Sequence, residues 1–133
     1  MKRLLALLFL VLAPITAQAQ VTAPSSWVND KGSVMWVQTL DPSTGRFTGT
    51  YVNNAAGFKC QGVLYPVEGS ATGNQVNFFV NWKGGAFAPD CKSMTIWNGR
   101  VVGNRITTMW TLDYVGADWS FHRMTGQDVF TRR

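Results

Sequence analysis

Residue types suited to binding a small molecule recur at every second position in several short segments. Side chains two apart on a β-strand point to the same face, so this spacing places large aromatic side chains beside hydrogen-bonding groups. The residues of each of five sets are two apart and would share one face of a strand: Ser93, Thr95 and Trp97; Thr108 and Trp110; Val80 and Trp82; Tyr51 and Asn53; and Gly126, Asp128 and Phe130. Apolar walls with a few polar side chains are typical of ligand pockets. The alternative is that the Trp side chains fill a core while the polar ones face solvent.

The same residues offer little for making or breaking bonds. Covalent catalysis needs a nucleophile with a base beside it, and no Ser-His-Asp arrangement follows from the spacing around His122, the only histidine. A zinc site is not indicated, because Cys60 and Cys91 lack CxxC spacing and would need carboxylates to complete the ligand set. We therefore predict a protein that is not an enzyme and has no metal, with His122 exposed to solvent.

The elements that must position these residues are predicted to be β-strands. Segments rich in Val, Thr, Tyr, Phe and Trp alternate with turn residues, whereas no stretch has the i, i+3, i+4, i+7 apolar spacing of a helix. We expect eight strands, at residues 26–30, 33–40, 46–52, 63–68, 75–82, 92–102, 105–114 and 123–132. Turn residues at 41–45, 69–74 and 103–104 keep most connections short enough for hairpins.

Short strands that follow one another predict an antiparallel up-and-down meander. Eight such strands can close into a β-barrel, which removes exposed edges and leaves an interior for side chains or one small ligand. The predicted fold class is therefore an all-β, eight-stranded antiparallel up-and-down barrel. Pro66 has no N–H for a strand ladder, so we expect the fourth strand to be short or bulged.

Composition limits the molecule to one small folded domain. The 133 residues are 46% hydrophobic and 14% charged, and they include six Trp, the opposite of a disordered composition. The chain is too short for a TIM barrel or a two-domain cofactor enzyme. The formal charge is +5, but the basic residues are scattered, so no nucleic-acid partner is expected.

The first 19 residues have the pattern of a secretory signal peptide. Lys2 and Arg3 precede an apolar run, and Ala17-Gln18-Ala19 has the small residues of a cleavage site. A membrane anchor, the alternative, needs about 20 apolar residues, and Pro14 interrupts the run before that. We expect cleavage after Ala19 to leave a single domain, residues 20–133, that is secreted or periplasmic and has no membrane partner.

Export also decides how the two cysteines are interpreted. In an oxidising compartment, one pair most simply forms a disulfide, here between Cys60 and Cys91, 31 residues apart. The chain-entropy model credits a loop of that length with about 3 to 4 kcal/mol of stability. The longer loops, 54–62 and 84–90, each have a cysteine at their C-terminal side. If both loops lie at one barrel end, the bridge ties them together over the opening.

Five segments resemble, in order and spacing, those of the avidin and streptavidin family of biotin-binding proteins. They lie at residues 27–33, 47–51, 80–83, 107–110 and 126–131, and the resemblance covers nearly the whole chain after the leader. Residues 49–55, the Tyr65-Pro66 pair and residues 91–95 are most similar to the short dimeric bacterial avidins of the rhizavidin type. The resemblance implies an avidin-like barrel that binds biotin in its mouth, as a ligand rather than a cofactor.

The resemblance also implies a role for each polar residue around the ureido ring of biotin. Asn29, Ser33 and Tyr51 match the three donors that converge on the ureido oxygen, and all three side chains can donate. Asp128 matches the carboxylate that accepts a charge-assisted hydrogen bond from one ureido N–H. Asn53 stands where the family has a group that takes the other N–H.

Further roles concern the rest of the ligand. Thr95 matches the residue that faces the sulfur. Ser93, with backbone N–H groups of residues 53–57, matches the site of the valerate carboxylate. The apolar walls are implied to be Trp82, Trp97 and Trp110.

Two aromatic residues are candidates for a lid. In tetrameric family members a Trp before the last strand reaches into the neighbouring subunit's pocket, and Trp119 is the candidate here. Trp119 precedes Gly126 by seven residues, one more than in the tetrameric pattern. Phe58, inside the first bridged loop, is the alternative apolar cover.

Apolar side chains with the opposite parity predict an assembly. Met94, Ile96, Met109 and Trp36 are expected to point outward, and exposed apolar groups of that size usually mark an interface. We therefore predict at least a homodimer.

Three other classes of protein share some of these features. A lipocalin-like carrier of another small apolar ligand would leave the polar cluster of Asn29, Ser33, Tyr51 and Asp128 unexplained. A secreted barrel-type protease inhibitor would use exposed termini or loops, and residues 21–25 give that interpretation little support. An outer-membrane barrel needs an apolar band facing lipid, which Lys83, Arg100 and Arg105 argue against.

Overall fold

The computed structural model describes residues 10–13, 20–84 and 88–133. Within these ranges the regular elements are eight β-strands: β1 (Ser25–Asn29), β2 (Val34–Leu40), β3 (Arg46–Val52), β4 (Leu64–Thr72), β5 (Gln75–Asn81), β6 (Ser93–Val102), β7 (Arg105–Val115) and β8 (Phe121–Arg132). Each strand pairs antiparallel with the next, and β8 pairs with β1 to close the barrel. This confirms the predicted eight-stranded up-and-down barrel.

The predicted signal peptide is not tested by the fold. Its basic start and its cleavage site at residues 17–19 lie outside the described residues. In the described part of the chain, no helix is both long and apolar enough to cross a membrane.

Alternation of buried and exposed residues is typical of a strand, and β5 shows it along its whole length. In β5, Val76, Phe78 and Val80 are at most 2% exposed, while the residues between them face outward. Because side chains alternate across a strand, every other residue of each strand reaches the barrel interior. The even-numbered side chains of β8 and the odd-numbered side chains of β6 therefore both point into the barrel.

A cluster of aromatic side chains fills the interior below the cavity described in the next section. Phe78 packs against Phe47, with ring centroids 6.4 Å apart, and against Phe130 at 5.5 Å. Trp27 is fully buried, as expected for a core residue, and its Nε1 donates to Ser25 Oγ at 3.0 Å. Full burial of each such side chain contributes about 1.5–3 kcal/mol. This cluster holds the strands in register beneath the cavity.

The prediction that Pro66 makes the fourth strand short or bulged is wrong. The strand is nine residues long, and its register with β3 runs without a shift from Arg46↔Ser70 to Val52↔Leu64. Pro66 lies opposite Thr50, in a stretch where β4 has one partner strand only, because pairing with β5 starts at Glu68. A missing N–H is tolerated at such an edge-like position. The register shift lies instead between Val37 and Thr39 of β2.

Two strand boundaries also differ from the prediction by two residues or more, while the others agree to within one residue. β4 continues to Thr72, so the turn expected at 69–74 shrinks to Gly73-Asn74, where Gly73 has φ +59°. β8 begins at Phe121, two residues early. In both places cross-strand pairing extends the strand, with β5 for Gly69 to Thr72 and with β7 for Phe121 and His122.

The disulfide joins Cys60 to Cys91, with a Cα–Cα distance of 6.3 Å. Cys60 lies in the β3–β4 loop and Cys91 in the β5–β6 loop, and both loops leave the same end of the barrel. Tyr65 Oη also donates to the carbonyl oxygen of Pro89 at 2.6 Å. The predicted bridge over the barrel opening is thereby confirmed.

Candidate ligand-binding site

An open cavity of about 560 Å³ occupies the disulfide end of the barrel. Of the predicted site residues, it is lined by Asn29, Ser33, Tyr51, Asn53, Phe58, Trp82, Thr95, Trp97, Trp110 and Asp128. Ser93 and Trp119 are not among its lining residues. A smaller depression of about 310 Å³ lies between hairpins at the other end and contains none of the predicted residues.

The β1–β2 turn orients the first polar group. Asn29 Oδ1 accepts hydrogen bonds from the backbone N–H groups of Lys31 at 3.0 Å and Ser33 at 2.8 Å. These bonds use the amide oxygen, so the Nδ2 donor is directed toward the cavity, 3.5 Å from Tyr51 Oη. Asn29, a residue type common in turns, therefore presents a donor of fixed orientation to the cavity.

Ser33 and Tyr51 complete a cluster of hydroxyl groups at the cavity floor. Ser33 Oγ donates to Asn53 Oδ1 at 3.1 Å and accepts from the Asn54 N–H at 3.0 Å. Tyr51 is 1% exposed. Burial, and then the charge of Asp128, raise the pKa of the Tyr51 phenol far above its usual range. Tyr51 is therefore a hydrogen-bond donor at any physiological pH.

The carboxylate of Asp128 lies beside this cluster on β8, with its side chain 6% exposed. Asp128 Oδ2 accepts from Trp97 Nε1 at 2.8 Å, and Oδ1 accepts from Lys31 Nζ at 2.5 Å. Burial acts to lower the pKa of Lys31, but its hydrogen bond to Asp128 and the charges of Asp128 and Asp30 raise it overall. The floor of the cavity therefore holds an ion pair.

The walls are aromatic, and each ring is held by a neighbour. Trp82 contacts Phe58 edge-on, with centroids 5.2 Å apart, and its Nε1 donates to Thr95 Oγ1 at 2.8 Å. Trp97 packs on Tyr51 with centroids 5.0 Å apart. Gly126 makes room for Trp110, because a Cβ at that position would collide with the indole ring. The indole groups thus form rigid walls and leave the cavity open between them.

Ser93 is placed differently from the other polar residues. It is 8% exposed on β6, and its Oγ has no hydrogen-bond partner among the described residues. A buried hydroxyl in that position calls for a partner that is a water or a ligand.

The two lid candidates, Phe58 and Trp119, differ in their position relative to the cavity of their own chain. Phe58 lines the cavity and packs on Trp82. Trp119 is 73% exposed in the β7–β8 turn at φ +64°, with Lys92 Nζ 4.0 Å from its ring centroid. Of the two candidates, Phe58 is the one that lines the cavity of its own chain.

Sequence reasoning missed several lining residues, among them Lys31, Leu112 and Met124. Leu112 has the parity of Trp110, and Met124 has the parity of Asp128, so extending each strand by one more pair would have found both. Lys31 gave no such signal, because a charged residue in a turn usually faces solvent.

The region around His122 does not form a catalytic arrangement. Ser120 Oγ lies 2.8 Å from His122 Nε2 and 2.7 Å from Asp118 Oδ1, but Asp118 approaches the same ring nitrogen, at 3.6 Å. In a catalytic triad the acid instead holds the other nitrogen and orients the ring. All three residues are exposed. Among the described residues there is also no group of three or more His, Cys, Asp or Glu placed to hold a metal ion.

The chain was compared with known proteins. The Avidin family model matches residues 17–133. Afifavidin from Afifella pfennigii is 42% identical, with 80% of this chain and 67% of that protein covered. Hoefavidin from Hoeflea phototrophica is 41% identical, with 56% and 48% covered. This chain thus spans about two thirds of one relative and about half of the other.

A solved structure, the rhizavidin–biotin complex, is similar in fold. Its TM-score is 0.76 and its identity is 36%, with 84% of this chain and 92% of that chain covered. The closed eight-stranded barrel agrees with these matches. The chain belongs to the avidin family.

Proposed function

We propose that this protein binds biotin in the open end of its barrel, tightly and without changing it chemically. Membership of the avidin family and the similarity to a biotin complex of rhizavidin support this proposal. The observation that carries it is the convergence of Asn29, Ser33, Tyr51 and Asp128 on the floor of an aromatic cavity. Three donors and one carboxylate match the acceptor oxygen and the N–H groups of a cyclic urea.

The ureido ring is assigned to this polar floor. Asn29 Nδ2, Ser33 Oγ and Tyr51 Oη donate to the ureido oxygen, and Ser33 gives up its bond to Asn53 to do so. Asp128 accepts from one ureido N–H, and Asn53 Oδ1, released by Ser33, accepts from the other. The exchange leaves each of these groups with a partner, which a buried polar site requires.

The rest of the ligand is assigned to the walls and the rim. Trp82, Trp97 and Trp110 enclose the bicyclic ring, and Thr95 faces its sulfur. Ser93, whose hydroxyl lacks a partner among the described residues, and the N–H groups of residues 53–57 receive the valerate carboxylate. Phe58 covers the ring from the bridged loop.

Binding of this kind involves no covalent step. Donors around an oxygen resemble an oxyanion hole, but the described residues that line the cavity include no nucleophile with a base beside it. Affinity comes instead from groups that are already in place, because the disulfide and the aromatic contacts lower the ordering cost of binding.

Assembly and export belong to the same proposal. Met94, Ile96 and Met109 are 36%, 38% and 55% exposed on the outer surface, and Trp36 is partly buried there. These residues support a homodimer or larger assembly. The signal-peptide pattern supports export to the periplasm or the medium, where the disulfide would persist.

Titration calorimetry with two ligands tests the proposed ligand. We expect biotin to saturate one site per chain and a long-chain fatty acid to give no heat. Saturation by the fatty acid but not by biotin would instead support a lipocalin-like carrier. The variant Asp128→Ala should weaken biotin binding and leave the folded barrel intact by circular dichroism.

A further inference from the structure

The carboxylate assigned to the ureido ring already accepts hydrogen bonds from two side chains of its own chain. Both oxygens of Asp128 accept hydrogen bonds, Oδ2 from Trp97 Nε1 at 2.8 Å and Oδ1 from Lys31 Nζ at 2.5 Å. The Lys31 ammonium also donates to the carbonyl oxygen of Gln127 at 2.8 Å. A ligand N–H that approaches Asp128 therefore meets an existing donor.

The two donors differ in their freedom to move. Trp97 is 3% exposed and is stacked on Phe78 with ring centroids 5.0 Å apart, so its indole cannot leave. The Lys31 side chain is 39% exposed, and a long flexible stem carries its charge. Lys31 is therefore the donor that a ligand can displace.

A second acceptor for the ammonium lies at the rim. Asp30 Oδ1 is 3.7 Å from Lys31 Nζ, and the Asp30 side chain is 53% exposed. When Lys31 leaves Asp128, its charge can stay close to Asp30 in contact with water, so no buried cation is left without a partner.

We propose that Lys31 is a built-in competitor for the ureido-binding carboxylate, and that it sets the affinity and the selectivity of the pocket. In the free protein its ammonium takes the place of a ligand N–H on Asp128. A ligand must supply an N–H of its own to compensate Asp128 for the lost ion pair. A ligand that displaces the ammonium without bringing such a donor loses the ion pair and gains no hydrogen bond in exchange, so it binds more weakly. This proposal rests on the proposed binding of biotin.

The variant Lys31→Met tests it, because methionine keeps most of the stem and removes the charge. We expect biotin to bind roughly three- to ten-fold more tightly, measured as the dissociation constant, because the ligand no longer has to replace the ion pair. That range lies between an exposed ion pair and a hydrogen bond to a buried charge. The matched control is Arg46→Met, which removes one positive charge at the start of β3, at the other end of the barrel, and should leave the dissociation constant unchanged.

Two more variants separate competition from a general effect on folding. Lys31→Arg keeps the cation and should bind biotin with the affinity of the natural protein. Lys31→Gln replaces Lys31→Met if the latter misfolds. In an Asp128→Asn background, Lys31→Met should bring no gain, because the competing ion pair no longer exists. A gain of the same size in that background would overturn the proposal.

The outcomes distinguish this inference from the function on which it rests. If the natural protein and Lys31→Met both bind biotin with equal dissociation constants, Lys31 is no competitor, while the proposed function stands. If neither binds biotin, the proposed function fails and this inference fails with it.

Discussion

At the scale of single residues, the cavity depends on groups whose orientation is fixed by bonds elsewhere. The amide oxygen of Asn29 accepts hydrogen bonds from two backbone N–H groups of its own turn. The Trp82 indole N–H donates a hydrogen bond to the Thr95 hydroxyl. Tyr51 is buried against Trp97 and Phe130. Because these orientations exist before a ligand arrives, little rotamer entropy is lost on binding.

Replacing Tyr51 by Phe removes one donor and little volume. We expect biotin affinity to fall about ten- to a hundred-fold, since a buried acceptor would lose one hydrogen bond. Calorimetry against Tyr114→Phe, a change on β7 outside the cavity lining, isolates the effect. Equal affinities for the two variants would remove Tyr51 from the ureido site.

The raised pKa of Tyr51 also predicts how stability depends on pH. The folded state keeps the phenol protonated, whereas the unfolded chain releases this proton above its ordinary value of about 10. The stabilisation is thus complete below that pH and is lost as pH rises further. Urea unfolding from pH 8 to pH 11 should show a steeper loss for the natural protein than for Tyr51→Phe. Parallel curves would contradict this.

At the scale of elements, the strands were more predictable than the loops and the charges between them. The parity of β5 to β8 placed Trp82, Thr95, Trp97 and Asp128 inside the barrel, because a period of two leaves no choice once one face is buried. The prediction that Pro66 would make β4 short or bulged was wrong, because sequence alone does not show that β4 has a single partner strand there. Lys31 was missed because its partner, Asp128, lies 97 residues away.

The bridged loop carrying Phe58 is expected to slow the escape of the ligand. Phe58→Ala removes the ring that packs on Trp82, so biotin should dissociate about ten-fold faster or more. Stopped-flow displacement with excess biotin measures the rate, and Phe79→Ala, on the outward face of β5, is the control. An unchanged rate in Phe58→Ala would exclude this residue as a cover.

The disulfide is expected to act on both stability and binding. The double variant Cys60→Ser/Cys91→Ser should lose up to about 3 to 4 kcal/mol of unfolding free energy, because the unfolded chain regains the freedom of the closed loop. Biotin should also dissociate faster, since the β3–β4 loop would have to be ordered on binding. Urea titration and displacement kinetics test the two effects, and reductant added to the natural protein should reproduce them.

At the scale of the whole molecule, closure of the sheet divides the barrel into a packed half and an open half. Phe47, Phe78 and Phe130 fill one half, and the disulfide-bridged loops surround the other. The six Trp divide accordingly. Trp27 belongs to the core, three line the cavity, Trp36 lies on the outer surface of β2, and Trp119 is exposed.

The outer surface predicts self-association. We expect sedimentation velocity at micromolar concentration to show at least a dimer, and Ile96→Lys to shift it toward the monomer by placing a charge in an apolar contact. A monomer as the only species of the natural protein would contradict this.

Trp119 lies outside the cavity lining of its own chain. We expect Trp119→Ala to leave biotin dissociation unchanged. Faster dissociation would contradict this and would indicate that Trp119 reaches a partner's cavity.

A crystal structure of the oxidised protein grown with biotin tests the central claim most directly. We predict one biotin per barrel, with the ureido oxygen about 3 Å from Asn29 Nδ2, Ser33 Oγ and Tyr51 Oη and with one ureido N–H on Asp128. An empty cavity at saturating biotin, or biotin bound outside the Trp82, Trp97 and Trp110 walls, would contradict the account.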